Sequence, residues 1–597
     1  MGELFLTAKR SKNKKKMMLM ASLIVVILVI SSIGVIVFLP EQTKETEEKE
    51  EGIKEIDDRI SPLCTQALFF NVKRIRMHGI IDQMINPNPV VSAVRNLPIN
   101  GKFFPKLGIG GEDIIARIDG MLPGRGWDDK PSFRFNIQFD DYLWKDPEIY
   151  NTWDTGFIFK MPYRVVQREN KTLETAEVGF QIIEKTTENR LLRRDIVSDK
   201  ELTSFNVVYD FRTGRWTGDD YLGDSDGYCY FNCEEYEVWF EIHQTDSDND
   251  GIPYWTEVNI LDTDPTVDDF ELDPDEDGCP TAWEWKWGYD PFVYDNHSTL
   301  DPDKDGLQNT EECFMRKWLA NPYHGEMYIE VDWSEKAPFK PFKIEMQEAR
   351  FLPINIPKIV KTKDWGMDHT LWEETQQMII ERFSEHNITV VIDDGDIETG
   401  GIHPGGDILP IVGGSGKSWY GQDTGYFSLF YNTKFDDNRK GIFRYFIITH
   451  TGGYSYNMNF GGCYDTMVIC KDPIFFKNVG GGARTPRTQR IAQAVAMLHE
   501  LGHSCGISYG HCGGVDNFLN DGTWYNYKSS MNYVKYGQRL FDYSDGSHGE
   551  NDADDWSNLS LGHFQTSEDE LEGVGFNPII YGRIDPRYEK RDKARDT

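Results

Sequence analysis

The chain has 597 residues, too many for one hydrophobic core, so roughly three or four folded units of about 150 residues are expected. Hydrophobic residues make up 39% and aromatics 13%, which excludes a chain disordered throughout, and a net charge of −35 excludes nucleic acid as a partner. Much of that charge is local: Asp246 to Glu312 holds 21 acidic residues against Lys286 and Lys304, a block that either repels itself into disorder or binds cations.

In chain order, residues 1–16 form a basic segment ending in KRSKNKKK, and Met17 to Leu39 is a run of 23 residues without charge. About 20 apolar residues span a bilayer, so 17–39 predicts an uncleaved transmembrane helix, a signal-anchor with its basic flank in the cytoplasm. Everything after residue 40 is then extracytoplasmic, on a single-pass protein of the cell membrane. Residues 40–59 are charged and poor in aromatics and read as a stalk. Nine cysteines in an exported chain suggest disulfides, and the odd count leaves at least one unpaired. Spacing offers Cys229 with Cys233, Cys463 with Cys470, Cys505 with Cys512 and Cys279 with Cys313, leaving Cys64.

From 60 to 244 the signals are strands, among them ALFFNVKRIRM, SFRFNIQF, SFNVVYDF and YEVWFEIHQ. Short β-branched and aromatic runs between turn residues predict an all-β sandwich, a binding or spacer module with no catalytic spacing in it.

Residues 245–322 carry an internal repeat. DSDNDGIPYWTE, DPDEDGCPTAWE and DPDKDGLQNTEE each read D-x-D-x-D-G, five residues, then Glu. Calcium takes six to eight oxygens, and a twelve-residue loop offers them from positions 1, 3, 5, 7 and 12, with Gly at 6 for the turn. The candidates are Asp246, Asp248, Asp250 and Glu257; Asp273, Asp275, Asp277 and Glu284; Asp301, Asp303, Asp305 and Glu312. Ile252, Cys279 and Leu307 at position 7 would contribute backbone carbonyls. A solvated acidic linker does not explain the recurring Gly and closing Glu. The array resembles the calcium-binding repeats of thrombospondin type 3, which implies a calcium-rigidified spacer that loosens, on calcium loss, before anything downstream of it.

From 323 to 597 strand and helix patterns alternate. EMYIEVDW reads as a strand, and HTLWEETQQMIIERFSEH puts Leu371, Met378, Ile379 and Phe383 on one helical face. A later helix starts at Thr485 and Pro486 and stops at Gly506. On it His499 and His503 are one turn apart, so the pair can hold one zinc ion, and Glu500 beside them can take a proton from an activated water. An ordinary helix carrying two histidines is the bland alternative, but Gly506 supplies a sharp turn and Ser529, Met531 and Tyr533 follow downstream.

Together these residues resemble the metzincin metallopeptidases over about 325–560, in which HExxHxxGxxH precedes a methionine turn. The resemblance implies an α+β catalytic domain with Glu500 as general base, Met531 as the floor of the site and Tyr533 stabilising the tetrahedral intermediate. The third ligand departs from the pattern, because position 509 is Tyr. His511 and Asp516 are the two replacements, with Tyr509 and His548 behind them. The whole reads as a multidomain chain of transmembrane helix, stalk, all-β sandwich, calcium loops and metzincin-like domain. It predicts a membrane-anchored zinc metalloendopeptidase acting on peptide or protein substrates, with Zn2+ and Ca2+. The alternative is a surface adhesion protein that keeps an inactive peptidase domain.

Overall fold

The computed structural model describes residues 67–85, 129–157, 166–167, 174–188, 196–220, 229–335, 342–348, 355–361, 369–395, 405–409, 430, 433–436, 438–449, 466–470, 486–508, 510–517, 522–536 and 540–565. The chain divides into two compact units, Met1–Ile56 and Asp57–Thr597, and every described residue belongs to the second.

Ten strands build two antiparallel sheets. They are β1 (Ala67–Met77), β2 (Ser132–Phe139), β3 (Tyr142–Lys145), β4 (Tyr150–Asn151), β5 (Val166–Gln167), β6 (Thr175–Glu188), β7 (Ile196–Asp210), β8 (Trp216–Gly218), β9 (Cys229–Asn232) and β10 (Tyr236–Gln244). One sheet runs β5-β1-β10-β9 and the other β3-β2-β6-β7-β8, with β4 on β2. Alternation decides what faces inward: Phe133, Phe135, Ile137 and Phe139 of β2 are all buried. The sheets meet through stacked aromatics, Phe70 on Phe180 at 5.9 Å and Phe205 on Phe240 at 4.9 Å.

β1 carries a bulge between Val72 and Arg74. It shifts the inward set from Phe70 and Val72 to Ile75 and Met77, so Arg74 and Arg76 emerge on the opposite face. There Arg76 donates to Asp154 at 2.8 Å, to Glu237 at 3.1 Å and to the Val390 carbonyl at 2.6 Å, 314 residues away.

Val390 belongs to a second layer. β14 (Thr389–Asp393), β11 (Glu326–Ser334), β16 (Phe443–Thr449) and β17 (Thr466–Cys470) form a sheet in that order, every pairing parallel, with β15 (Ile408–Leu409) beside the end of β11. A hairpin of β12 (Phe342–Glu348) and β13 (Asn355–Lys361) stands apart from it. β14 is buried along its whole length and β11 almost so, as a parallel sheet covered on both faces requires. On one face lie α4 (Glu373–Ser384) and α5 (Pro486–Ser504); the other packs on Trp318, Phe435 and Leu307. Shorter helices precede them, among them α1 (Ile80–Ile85), α2 (Thr281–Trp287) and α3 (Asn309–Phe314).

The expected fold class is therefore corrected. The described residues form antiparallel and parallel sheets with few helices, not separate modules ending in an α+β domain. One hydrophobic cluster runs from Leu68 through Ile329 to Tyr543. Polar contacts cross the same boundary: Ser384 of α4 donates to Glu237 at 2.9 Å, and Glu381 accepts the backbone N–H of Gly79 and Ile80 at the start of α1. The acidic loops are built into this unit rather than spacing its parts, since Asp305 accepts the N–H of Glu326 on β11 at 2.9 Å. Among the described residues no helix is long and apolar enough to cross a membrane. The basic segment 1–16, the run 17–39, the stalk 40–59 and Cys64 lie outside the described residues.

Candidate metal centre

α5 is an uninterrupted helix because Ile491 to Leu501 contains neither Gly nor Pro, and the helix is buried along nearly its whole length. It ends in a Schellman motif: Gly506 N–H bonds the His503 carbonyl, Ile507 N–H bonds that of Gly502, and Gly506 takes φ +91°. The expected cap Thr485 lies outside the described residues.

One turn apart, His499 and His503 present their rings edge to face, centroids 4.8 Å apart. Each is locked through Nδ1, whose N–H donates to a backbone carbonyl: Ser530 for His499 at 2.9 Å, Ile507 for His503 at 2.8 Å. Both Nε2 atoms are thereby left as acceptors. They face Oδ1 of Asp516, at 3.2 Å from His499 and 3.5 Å from His503. The two nitrogens and this carboxylate oxygen converge in a group that could hold a metal ion.

The segment after Gly506 settles which residues converge. Asp516 has φ +57°, and its N–H bonds the Met531 carbonyl at 2.9 Å, which turns its carboxylate to the histidines. His511 goes elsewhere: its Nε2 is 3.0 Å from Asp555, whose carboxylate also accepts the Tyr527 hydroxyl. His548 sits in a separate turn, 2.9 Å from Asp552 and 3.5 Å from Asp545, and Tyr509 lies outside the described residues. Cys505 and Cys512 carry free thiols, as do Cys233, Cys279 and Cys313, so the turn is pinned by its backbone rather than by a disulfide.

Met531 is fully buried beneath α5, and a Cβ on Gly502 would drive into its sulfur. The ring of Tyr533 stacks on that of His499 at 4.9 Å. The Ser530 carbonyl and Gly502 were not singled out from sequence; the glycine inside HELGH was the available signal.

Electrostatics point the same way. Burial, then the neighbouring Asp516 charge, pushes the Glu500 carboxyl well above its ordinary range, and its Oε2 is buried without a partner. Burial would also raise Asp516, but the two histidines outweigh it and hold that carboxyl far below its ordinary value. Burial lowers His499; His503 is raised instead, because Asp516 outweighs its burial. A cation between the three would favour the ionised carboxylates and bare imidazole nitrogens together.

The three acidic loops share one backbone. In each, position 4 (Asn249, Glu276, Lys304) and the Gly at 6 take positive φ. The first Asp accepts the Gly N–H, at 2.8, 3.0 and 3.1 Å, and the fifth-position Asp accepts the N–H of Ile252, Cys279 or Leu307. Those three side chains turn into the core, and Glu257, Glu284 and Glu312 are brought to the loops by the helical turns that follow. Several carboxylate oxygens are buried without partners, including both of Asp248 and both of Glu312. Burial and neighbouring like charges push Asp303 up to about 9 and Asp305 to about 7, the cost of crowding acids without a counter-charge.

No protein-family model matches this chain, and no curated protein matches it.

Proposed function

We propose that the chain is a zinc-dependent peptidase that hydrolyses peptide bonds at the His499–His503–Asp516 centre. The observation that carries the reading is the convergence of two carbonyl-locked imidazoles and one carboxylate beside the partnerless oxygen of Glu500. Two nitrogens and one carboxylate oxygen make a donor set that zinc accepts in hydrolytic sites. Zinc held by these residues would supply a Lewis acid to the carbonyl of the scissile bond.

The chain's own residues do the rest. Glu500 accepts a proton from the attacking water as its oxygen bonds to the carbonyl carbon, then delivers that proton to the amide nitrogen as the C–N bond breaks. Ser530 and Ile507 hold the imidazoles in the tautomer that leaves Nε2 bare. Met531, under Gly502, and Tyr533, against His499, fix the height and tilt of the ligand helix. We also read the three loops as divalent-cation sites, the first and third of them for calcium, on the strength of their shared backbone and partnerless oxygens.

The test is metal content and casein cleavage for wild type, Asp516→Ala and His511→Ala. Loss of zinc and cleavage together in Asp516→Ala, with His511→Ala retaining both, is the expected result. Wild-type protein that binds zinc stoichiometrically yet cleaves nothing would leave a binding protein with a retained metal site.

A further inference from the structure

The three loops are alike in backbone but not in what faces them. Each is met by one side chain from further along the chain. Asp269 stands beside Asp250 of the first loop, and Glu326 beside Asp303 and Asp305 of the third. The second is met by a histidine. His297 is fully buried, and its Nε2 lies 3.2 Å from Asp277 Oδ2 and 3.4 Å from Glu284 Oε1, all three side chains without solvent exposure.

We propose that the second loop is a transition-metal site of the zinc class, with Asp277, Glu284 and His297 as its donors, and not a third calcium site. Calcium is a hard ion that takes oxygen; imidazole nitrogen suits zinc and its neighbours. The Sγ of Cys279 lies within 4.8 Å of the donor atoms of Asp277 and His297, adding a sulfur that zinc accepts and calcium does not.

A salt-bridged imidazolium is the competing account, and it leaves too much unmet. One N–H shared between two carboxylates bonds each of them weakly, and Glu284 Oε2 is buried with no partner, as are both oxygens of Asp275. One positive charge also stands against Asp273, Asp275, Asp277 and Glu284. A divalent ion answers both deficits.

The surroundings suit a fixed ligand. Trp283 and Tyr289 meet the imidazole edge to face at 5.6 and 4.7 Å and hold its plane. Asn309 Nδ2 lies 2.9 Å from Nδ1. Turned to present its Oδ1, otherwise without a partner, it accepts Nδ1–H and leaves the Nε2 lone pair facing the carboxylates.

The inference deepens the reading of the acidic loops and is independent of the peptidase reading, so its test separates the two. The full chain is stripped of metal, reloaded with zinc in excess calcium, and its bound zinc counted. A His499→Ala/His503→Ala variant is expected to keep one equivalent of zinc, and adding His297→Asp is expected to remove it. His297→Asp alone replaces the imidazole with a carboxylate and leaves Cys279 as the one soft donor, so it should exchange that zinc for calcium while the fold persists, checked by its thermal transition in calcium. Displacement of the retained zinc by calcium in the double variant would overturn the proposal, as would full zinc retention in His297→Asp. Failure of the His499 site to bind zinc would leave this count unchanged.

Discussion

Asp516 Oδ1 stands 3.2 Å from His499 Nε2, although 17 residues and a reversal at Gly506 separate them. Their closeness brings a carboxylate to the histidine pair from a place in the sequence that the HExxH spacing alone cannot indicate.

Glu500 is beside the convergent donors but not one of them. Glu500→Gln is therefore expected to keep its zinc and to lose casein cleavage by about 10²–10⁴-fold. Parallel metal analysis and turnover measurement check this; a variant that turns over like wild type would remove Glu500 from the chemistry.

Gly502 is held to hydrogen by Met531 and by Tyr543, whose ring carbon would stand 3.1 Å from a new Cβ. Both neighbours are buried, so Gly502→Ala should cost about 1–3 kcal/mol by overpacking. Because the strain falls between the two histidines, zinc affinity should drop with stability. Denaturant melts and zinc titration of the same variant would show whether the two move together.

Asp154 carries the clearest pH dependence. Burial alone would raise its carboxyl, but Arg74 and Arg76 outweigh that and hold it well below its ordinary 3.8. With the folded value depressed, its stabilisation is complete above the unfolded value and is lost as pH falls through the folded one. Asp154→Asn should cost about 3–5 kcal/mol near neutrality, because it leaves two buried guanidiniums short of a counter-charge. The deficit should shrink below about pH 3, where wild type begins to lose the same interaction. Melting curves of both proteins across acid pH decide it.

Calcium removal should not act on a spacer first. Leu307 of the third loop packs in the same cluster as Tyr328 and Phe443 of the parallel sheet, and Arg444, beside Phe443, donates to Ser504, the neighbour of His503. A calcium-selective chelator is expected to lower the melting temperature of the whole unit in one transition. Two separated transitions in calorimetry would restore the spacer.

What the sequence made legible was local. The histidine pair and Glu500 share one helical turn, and each acidic loop is complete within twelve residues, so spacing alone exposes them. Asp516 ranked behind His511 because the choice depends on how the backbone closes after Gly506. The alternation of strand and helix beyond residue 323 was itself the sign of a parallel sheet, and the peptidase likeness drew the class away from it. Arg76 gave no warning that its partner was Val390, since a bulge reassigned the face on which it emerges. His297 was passed over for want of a motif. Its signal was an offset: Asp269, His297 and Glu326 fall 12, 13 and 14 residues after the closing glutamates.

The bulge in β1 also bears on how this chain can be cut. A fragment beginning at residue 323 would keep His499, His503 and Asp516 but lose Arg76, leaving the Val390 carbonyl without that donor and the Glu381 carboxylate without the α1 amides it accepts. A fragment ending at residue 244 would keep Arg76 with Asp154 and Glu237 but without the Val390 carbonyl. Neither piece carries a finished surface, so proteolysis or gene truncation between them should yield aggregates rather than two free folded halves, and a recombinant protein that keeps His499, His503 and Asp516 together has to be made with its amino-terminal half attached.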